Sequence, residues 1–300
     1  MNSKKENDLR VSIGMPVYNA ESSIRTAIDS LLSQTFTDFE LIISDNASTD
    51  STPIICEDYM REDNRVRFFR QKNNMGATGN FMFVLEQAKY KYFMWAAADD
   101  VWNPHFIEKN VQILELNKNV VGSTSNVEFF GRQIVKSNPD ANFTLYRDFI
   151  KNMPINASYE RRAAYFLRYS LGMNMYSIFR TEELKKCAVY QAHSGADLTI
   201  ILNILKYGDL HVIDEVLLRR SAMGTTSRTT IESHIKQKIA LPWIIFPYIP
   251  VTFRLAKILG FKIFMKNLSY FIKLNYQGER AFVLELLRLS KNRFLDKEKN

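Results

Sequence analysis

Within the first hundred residues, short apolar runs alternate with segments whose apolar residues repeat at helical spacing, and most runs end in a polar cluster. Val11 to Val17 is the first run, and Pro16 at its end, which donates nothing to a ladder, is expected to stop it. Ile24, Ala27, Ile28, Leu31 and Leu32 then recur at i, i+3, i+4, i+7 and i+8, one buried helical face behind Glu21, Ser22 and Ser23. Phe39 to Ser44 is a second strand, closed by Asp45-Asn46-Ala47-Ser48-Thr49-Asp50, a polar turn of the kind that caps a helix. A helix over Thr52 to Arg61, a strand over Val66 to Arg70, a loop over Asn74 to Gly79, a helix over Asn80 to Ala88 and a strand over Tyr92 to Ala97 continue the series. This βαβ rhythm predicts a parallel sheet wound with helices.

Such sheets bind ligands beyond the carboxyl ends of their strands. Tyr18-Asn19, Asp45-Asn46 and Asp99-Asp100 all fall at ends of that kind. Farther along, the polar stretch from Gly131 to Arg162 reads as an acceptor-side insertion. A strand over Met175 to Arg180, a helix over Ala196 to Tyr207 and a strand over Val212 to Leu218 then restore regular structure. Ser221 to Thr230 (SAMGTTSRTT) marks a boundary. The expected organisation is a polar leader over 1–9, an α/β domain over 10–225 and a basic, aromatic-rich helical tail over 226–300.

Charge separates the same parts. The chain carries 40 Lys and Arg against 32 Asp and Glu, a net charge of +8. From Lys236 onward there are 13 basic and 4 acidic residues, which leaves 27 against 28 in the first 235. A near-neutral domain with a basic, aromatic tail argues against nucleic acid and for an anionic membrane surface. Ile239 to Phe253 is apolar, but three prolines and fifteen residues do not make a spanning helix. From Arg254 to Asn275, Lys262, Lys266 and Lys273 share one helical face; such a helix either lies in a membrane interface or packs on its own domain. The opening MNSKKENDLR has no apolar stretch of the signal-peptide kind. The expectation is a cytoplasmic protein, peripheral at the inner face of the membrane through 236–300. Cys56 and Cys187 lie in no CxxC or Cys/His cluster, and neither a metal nor a disulfide role is expected of them.

Two local patterns carry chemistry. Asp99 and Asp100 follow an apolar run, where paired carboxylates suit a hard divalent cation such as Mg2+ or Mn2+; they equally suit the cap of a helix opened by Pro104. Asp45 stands where Rossmann-like folds set an acid against a nucleoside, and its other reading is an Asx-turn cap.

Taken in order, Pro16-Val17-Tyr18-Asn19-Ala20-Glu21, Ser33-Gln34-Thr35-Phe36, Glu40-Leu41-Ile42-Ile43-Ser44-Asp45-Asn46-Ala47-Ser48-Thr49-Asp50, Asn74-x-Gly76 and Ala98-Asp99-Asp100 with Pro104 resemble the signature of family 2 glycosyltransferases. The resemblance runs over roughly residues 10 to 220. It implies a GT-A, Rossmann-like α/β fold with a mixed or parallel sheet flanked by helices, to which the tail adds a helical appendage. It also implies an inverting transferase that moves a sugar from a nucleoside-diphosphate donor, UDP-linked by expectation, to an acceptor hydroxyl. The acceptor would be a saccharide or lipid-linked saccharide, in surface polysaccharide or glycolipid assembly. Pro16, Tyr18, Asn19, Glu21, Asp45, Asn74, Gly76 and Asp99 would bind the nucleotide sugar, and Asp99 with Asp100 would hold Mg2+ or Mn2+. Gly195-Ala196-Asp197-Leu198 resembles the family's Gly-Glu-Asp segment, which makes Asp197 the expected catalytic base.

The chain departs from the pattern in three places. Ala97 stands where a further Asp is common, Ala196 replaces the Glu before the base, and Leu218-Arg219-Arg220-Ser221 replaces a Tyr-Arg-x-His element. His193, the histidine nearest the base, is more often a structural hydrogen bonder in such a setting. The sequence from Val11 to Glu21 lacks the Gly-rich, Arg-bearing loop of a sugar nucleotidyltransferase. A catalytically silent nucleotide-sugar-binding or scaffold protein is the alternative that the missing acids leave open.

Overall fold

The computed structural model describes residues 11–130, 154–169, 173–190, 195–221 and 248–276. His193 and most of Ser221 to Thr230 lie outside them. The chain divides into two compact units, one of residues 1–192 and 196–222, the other of 193–195 and 223–300.

The first unit is an eight-stranded mixed sheet flanked by helices. Its strands are β1 (Val11–Val17), β2 (Phe39–Asp45), β3 (Val66–Arg70), β4 (Tyr92–Trp95), β5 (Val101–Trp102), β6 (Val120–Phe130), β7 (Ile178–Arg180) and β8 (Asp209–Ser221), in the spatial order β3-β2-β1-β4-β7-β6-β8-β5. The first four strands pair in parallel, as the alternating pattern requires. β2 is buried at every position, as befits a strand covered on both faces. β7 runs antiparallel to β4 and β6, and β5 antiparallel to β8, so the sheet is mixed, within the mixed or parallel sheet expected. Both are short strands entered from non-adjacent parts of the chain, so local periodicity does not determine their direction. Pro16 sits within β1 rather than ending it; pairing with β4 has already stopped at Gly14 opposite Trp95.

The helices are α1 (Ile24–Leu32), α2 (Thr52–Glu62), α3 (Gly76–Glu86), α4 (Phe106–Leu116), α5 (Tyr159–Tyr169), a 3-10 turn (Met173–Tyr176), α6 (Thr181–Lys185) and α7 (Ala196–Ile204). On α1 the residues Ile24, Ala27, Ile28 and Leu31 are buried, the face its spacing predicts. α3 begins four residues before the expected Asn80, because Asn46 and Asn74 receive the amides of Met75 and Gly76 and so start the helix inside the supposed loop. The expected strand from Met175 is instead a 3-10 turn followed by three strand residues.

α5 lies partly in the stretch read as a polar insertion. Its apolar face is narrow, with Ala163, Phe166 and Leu167 buried. An ion pair of Arg162 with the buried Asp209 at 2.7 Å pins it to the start of β8. Cys56 and Cys187 are free and buried, and burial pushes both thiols up to about 12.

The described part of the second unit is helical, with α8 (Ile249–Lys266) followed by helical residues 268–276. Among the described residues no helix is long and apolar enough to cross a membrane.

Candidate functional site

The loops after β1 and β2 are joined by reciprocal hydrogen bonds. Asn19, at a φ of 50°, donates its backbone amide to Ser48 Oγ at 2.8 Å and accepts the Thr49 amide on Oδ1 at 2.9 Å. Glu21 repeats the exchange one turn on, donating its amide to Asp50 and accepting that of Ser51. Tyr18 projects beside them, 41% exposed. Asn46 closes the next gap: its Nδ2 donates to Asn74 Oδ1 at 3.0 Å and to the Gly76 carbonyl at 3.2 Å. Tyr18, Asn19, Glu21, Asn74 and Gly76, all expected at the nucleotide, thus lie on segments that follow β1 and β3, and several of them fix the loops themselves.

Asp45 ends β2 with no exposed surface, and both carboxylate oxygens accept the Ser48 amide at 3.2 Å, the Asx-type turn foreseen for it. Arg70, at the end of the neighbouring β3 and more than half exposed, lies 3.7 Å away. A cleft of about 360 Å³ opens there, lined by Ala47, Ser48, Arg70, Gln71 and Lys72.

A second cluster follows β4, and sheet register assembles it. β5 pairs antiparallel with β8, Val101 opposite Arg219 and Trp102 opposite Leu218, which brings the residues just before β5 to the end of β8. Asp100 is 1% exposed; its Oδ2 accepts Arg220 Nε at 2.9 Å and its Oδ1 the Ser221 amide at 3.1 Å. It does not cap α4, from which β5 separates it. Burial pushes its carboxyl up to about 6, against the pull of Arg220 and with the push of Asp99. Burial likewise raises Asp99 above the usual carboxylate range, again opposed by Arg220.

The guanidinium of Arg220 lies 4.1 Å from the centre of the Tyr176 ring, a cation–π arrangement. Burial pushes the Tyr176 hydroxyl up to about 12; Arg220 opposes this, and the charges of Asp100, Asp99 and Asp197 add to it. Asp197, in the first turn of α7, is half-buried, and α7 packs on the 3-10 turn that carries Tyr176. The charges of Asp99, Asp100 and Asp197 thus all act on one tyrosine. Tyr176 itself carries no motif, and Arg220 is visible in sequence only as the remnant of a degraded one.

The donor chemistry suits a hard cation. Two desolvated carboxylates face one guanidinium, which leaves a formal charge of −1 when both are ionised. Both oxygens of Asp100 are engaged, whereas a carboxylate such as Asp99 has room for several partners. Among the described residues no three His, Cys, Asp or Glu side chains form a metal cage. A cation held by one or two carboxylates, with phosphate oxygens and water completing its shell, is the usual Mg2+ arrangement.

The sequence model of glycosyl transferase family 2 matches residues 12–171, more than half of the chain. The chain belongs to glycosyl transferase family 2. A glycosyltransferase of Rickettsia bellii is 32% identical over 151 residues, which cover 48% of this chain and 21% of that protein. The Escherichia coli enzyme WfgD, a UDP-Glc:alpha-D-GlcNAc-diphosphoundecaprenol beta-1,3-glucosyltransferase, is 29% identical over 128 residues, 43% of this chain and 49% of the enzyme. The chain thus spans less than half the length of either relative.

Two solved glycosyltransferases share the GT-A fold. Staphylococcus aureus TarS 1-349 in complex with UDP-GlcNAc matches with a TM-score of 0.56 at 20% identity, over 76% of this chain and 64% of that one. The mannosyltransferase PcManGT from Pyrobaculum calidifontis, in complex with GDP-Man and Mn2+, matches with a TM-score of 0.55 at 15% identity, over 95% and 77%.

Proposed function

We propose that this family 2 glycosyltransferase is an inverting, metal-dependent hexosyltransferase that moves a sugar from a nucleoside-diphosphate donor to an acceptor hydroxyl. The observation that carries the reading is Tyr176, on whose hydroxyl the charges of Asp99, Asp100 and Asp197 all act, with Arg220 over its ring and paired with Asp100. In this reading the nucleoside enters the cleft beside Asp45 and Arg70, and Pro16, Tyr18, Asn19, Glu21, Asn74 and Gly76, on neighbouring segments, bind the rest of the nucleotide sugar. Asp197 removes the proton from the acceptor hydroxyl as that oxygen attacks the anomeric carbon from the side opposite the diphosphate. One displacement inverts the centre. Asp99 would hold Mg2+ or Mn2+, which when bound supplies positive charge to the departing diphosphate. Asp100, committed to Arg220 and Ser221, keeps the turn that carries Asp99 in place.

UDP-GlcNAc in TarS and UDP-Glc as the donor named for WfgD favour a UDP-linked sugar. The lipid-linked acceptor named for WfgD favours a similar acceptor here, in surface polysaccharide or glycolipid assembly. We place the enzyme in the cytoplasm, peripheral at the inner face of the membrane through 236–300.

The test begins with a screen of nucleotide sugars for metal-dependent thermal stabilisation, since a ligand at a hundred times its Kd adds about 2.7 kcal/mol. With the donor found, Asp197→Asn lowers transfer by about 10²–10⁴ while donor binding survives. Asp99→Asn and EDTA each abolish metal-dependent transfer. A near wild-type rate for Asp197→Asn moves the base elsewhere, and a rate indifferent to EDTA removes the metal. Donor binding without turnover under any condition returns the chain to the silent nucleotide-sugar binder.

A further inference from the structure

A chain of buried hydrogen bonds leads from the sheet into the nucleoside cleft, and each link fixes the direction of the next. Asn80, in α3 and 2% exposed, holds its amide nitrogen 2.8 Å from the Ser44 carbonyl and 3.4 Å from that of Val17. Carbonyl oxygens only accept, so that atom is the donor Nδ2 and the other, Oδ1, is an acceptor. The Ser44 hydroxyl, fully buried and 2.6 Å from Oδ1, therefore donates to it. With its proton used, the hydroxyl can only accept from the Gln71 side chain 3.0 Å away. The Gln71 atom that faces Ser44 is consequently Nε2. Its Oε1 is turned the other way and has no hydrogen-bond partner among the described residues.

Gln71 directly follows β3 and is half-buried; its backbone amide donates to the Asp45 carbonyl at 2.9 Å. It lines the cleft of about 360 Å³ between Arg70 and Lys72, two cations that only donate. The Ser48 hydroxyl oxygen already accepts the Asn19 amide. Asp45, the acid expected at the base, has no exposed surface, and both its oxygens accept the Ser48 amide. Gln71 Oε1 is thus the acceptor that the side chains around the cleft leave uncommitted.

An acceptor between donors complements an N–H between two carbonyls. Uracil presents that imide edge, whereas guanine sets two donors side by side and cytosine has no ring N–H there. A free amide could turn over to suit either a donor or an acceptor, but one held by a buried relay cannot. We propose that Gln71 reads the base, accepting the uracil N3–H on Oε1 and leaving the flanking carbonyls to Arg70 and Lys72, with Ser44 and Asn80 as the positioning residues that keep its amide from turning. This rests on the nucleoside cleft proposed above and names the group that selects its occupant.

The test is calorimetric titration of the full chain, in buffer containing Mg2+, with UDP, with GDP and with 3-methyl-UDP, in which a methyl replaces the hydrogen on N3. Wild-type protein binds UDP, and binds the other two at least about tenfold more weakly, because each leaves a polar group unpaired. Gln71→Leu removes the acceptor at similar volume: UDP binding weakens about tenfold, the preference for UDP over 3-methyl-UDP disappears, and the melting temperature changes little. Ser44→Ala keeps every side chain of the cleft but frees the amide, so the same preference narrows, which a loss of packing alone would not cause. Wild-type protein that binds neither UDP nor GDP removes the nucleoside cleft, and this assignment with it. UDP binding in which Gln71→Leu keeps the wild-type preference over 3-methyl-UDP leaves the cleft standing and overturns the role of Gln71. GDP bound more tightly than UDP overturns uracil as the base.

Discussion

Replacing Arg220 by Met keeps an apolar stem against Tyr176 and removes the cation from Asp100. Removing one partner of a buried ion pair costs about 3–5 kcal/mol. Arg220 is 18% exposed and Ser221 still donates to Asp100, so the lower end, about 3 kcal/mol, is expected at pH 8.5. The cost depends on pH in a defined sense. In the wild type burial holds Asp100 at about 6, above its ordinary 3.8, so the folded protein keeps a proton that the unfolded chain releases between those values. Stability from that proton is complete below 3.8 and is lost as pH rises through 6. Without Arg220 the folded value moves higher, and stability goes on falling above pH 6 by up to about 1.4 kcal/mol per pH unit. Urea unfolding followed by the fluorescence of the buried Trp95 and Trp102 therefore shows a destabilisation that grows from pH 5.5 to pH 8.5. Addition of Asp100→Asn to the variant removes most of that growth. A destabilisation that is flat across this range, or below about 1 kcal/mol at pH 8.5, refutes the pairing as the organiser of the turn.

Two further substitutions test other parts of the unit. Arg70→Ala weakens nucleotide binding about tenfold by calorimetry, or about 1.4 kcal/mol, with little change in melting temperature because the side chain is mostly exposed; unchanged affinity removes it from the cleft's function. Gly208→Ala would set a methyl 2.3 Å from the backbone oxygen of Asn119, and urea unfolding should show a loss of about 1–3 kcal/mol. A neutral result there would mean that the start of β8 yields easily.

What the sequence makes legible is what neighbouring residues decide. β1, β3 and the buried face of α1 follow from periodicity, and Asp45, Asp99 and Asp197 are visible as acids at the ends or starts of elements. α3 begins early because side chains from the preceding loops start it, and no window around Gly76 contains Asn46. Tyr176 is one aromatic residue among many until β7 and the 3-10 turn set it beside Arg220. In each case the missing information lies in contacts between distant residues, which local pattern does not encode.

The β5 and β8 pairing ties two short stretches, some 120 residues apart in sequence, into one unit of inheritance. A single-residue insertion in either strand would slide Arg220 past Asp100 and, because successive strand side chains alternate in direction, turn Arg219 or Ser221 toward it instead. Relatives that change the residue at position 100 should therefore change the one at 220 in step. Connections between the elements that separate β5 from β8 can vary in length, provided the count within each strand is kept.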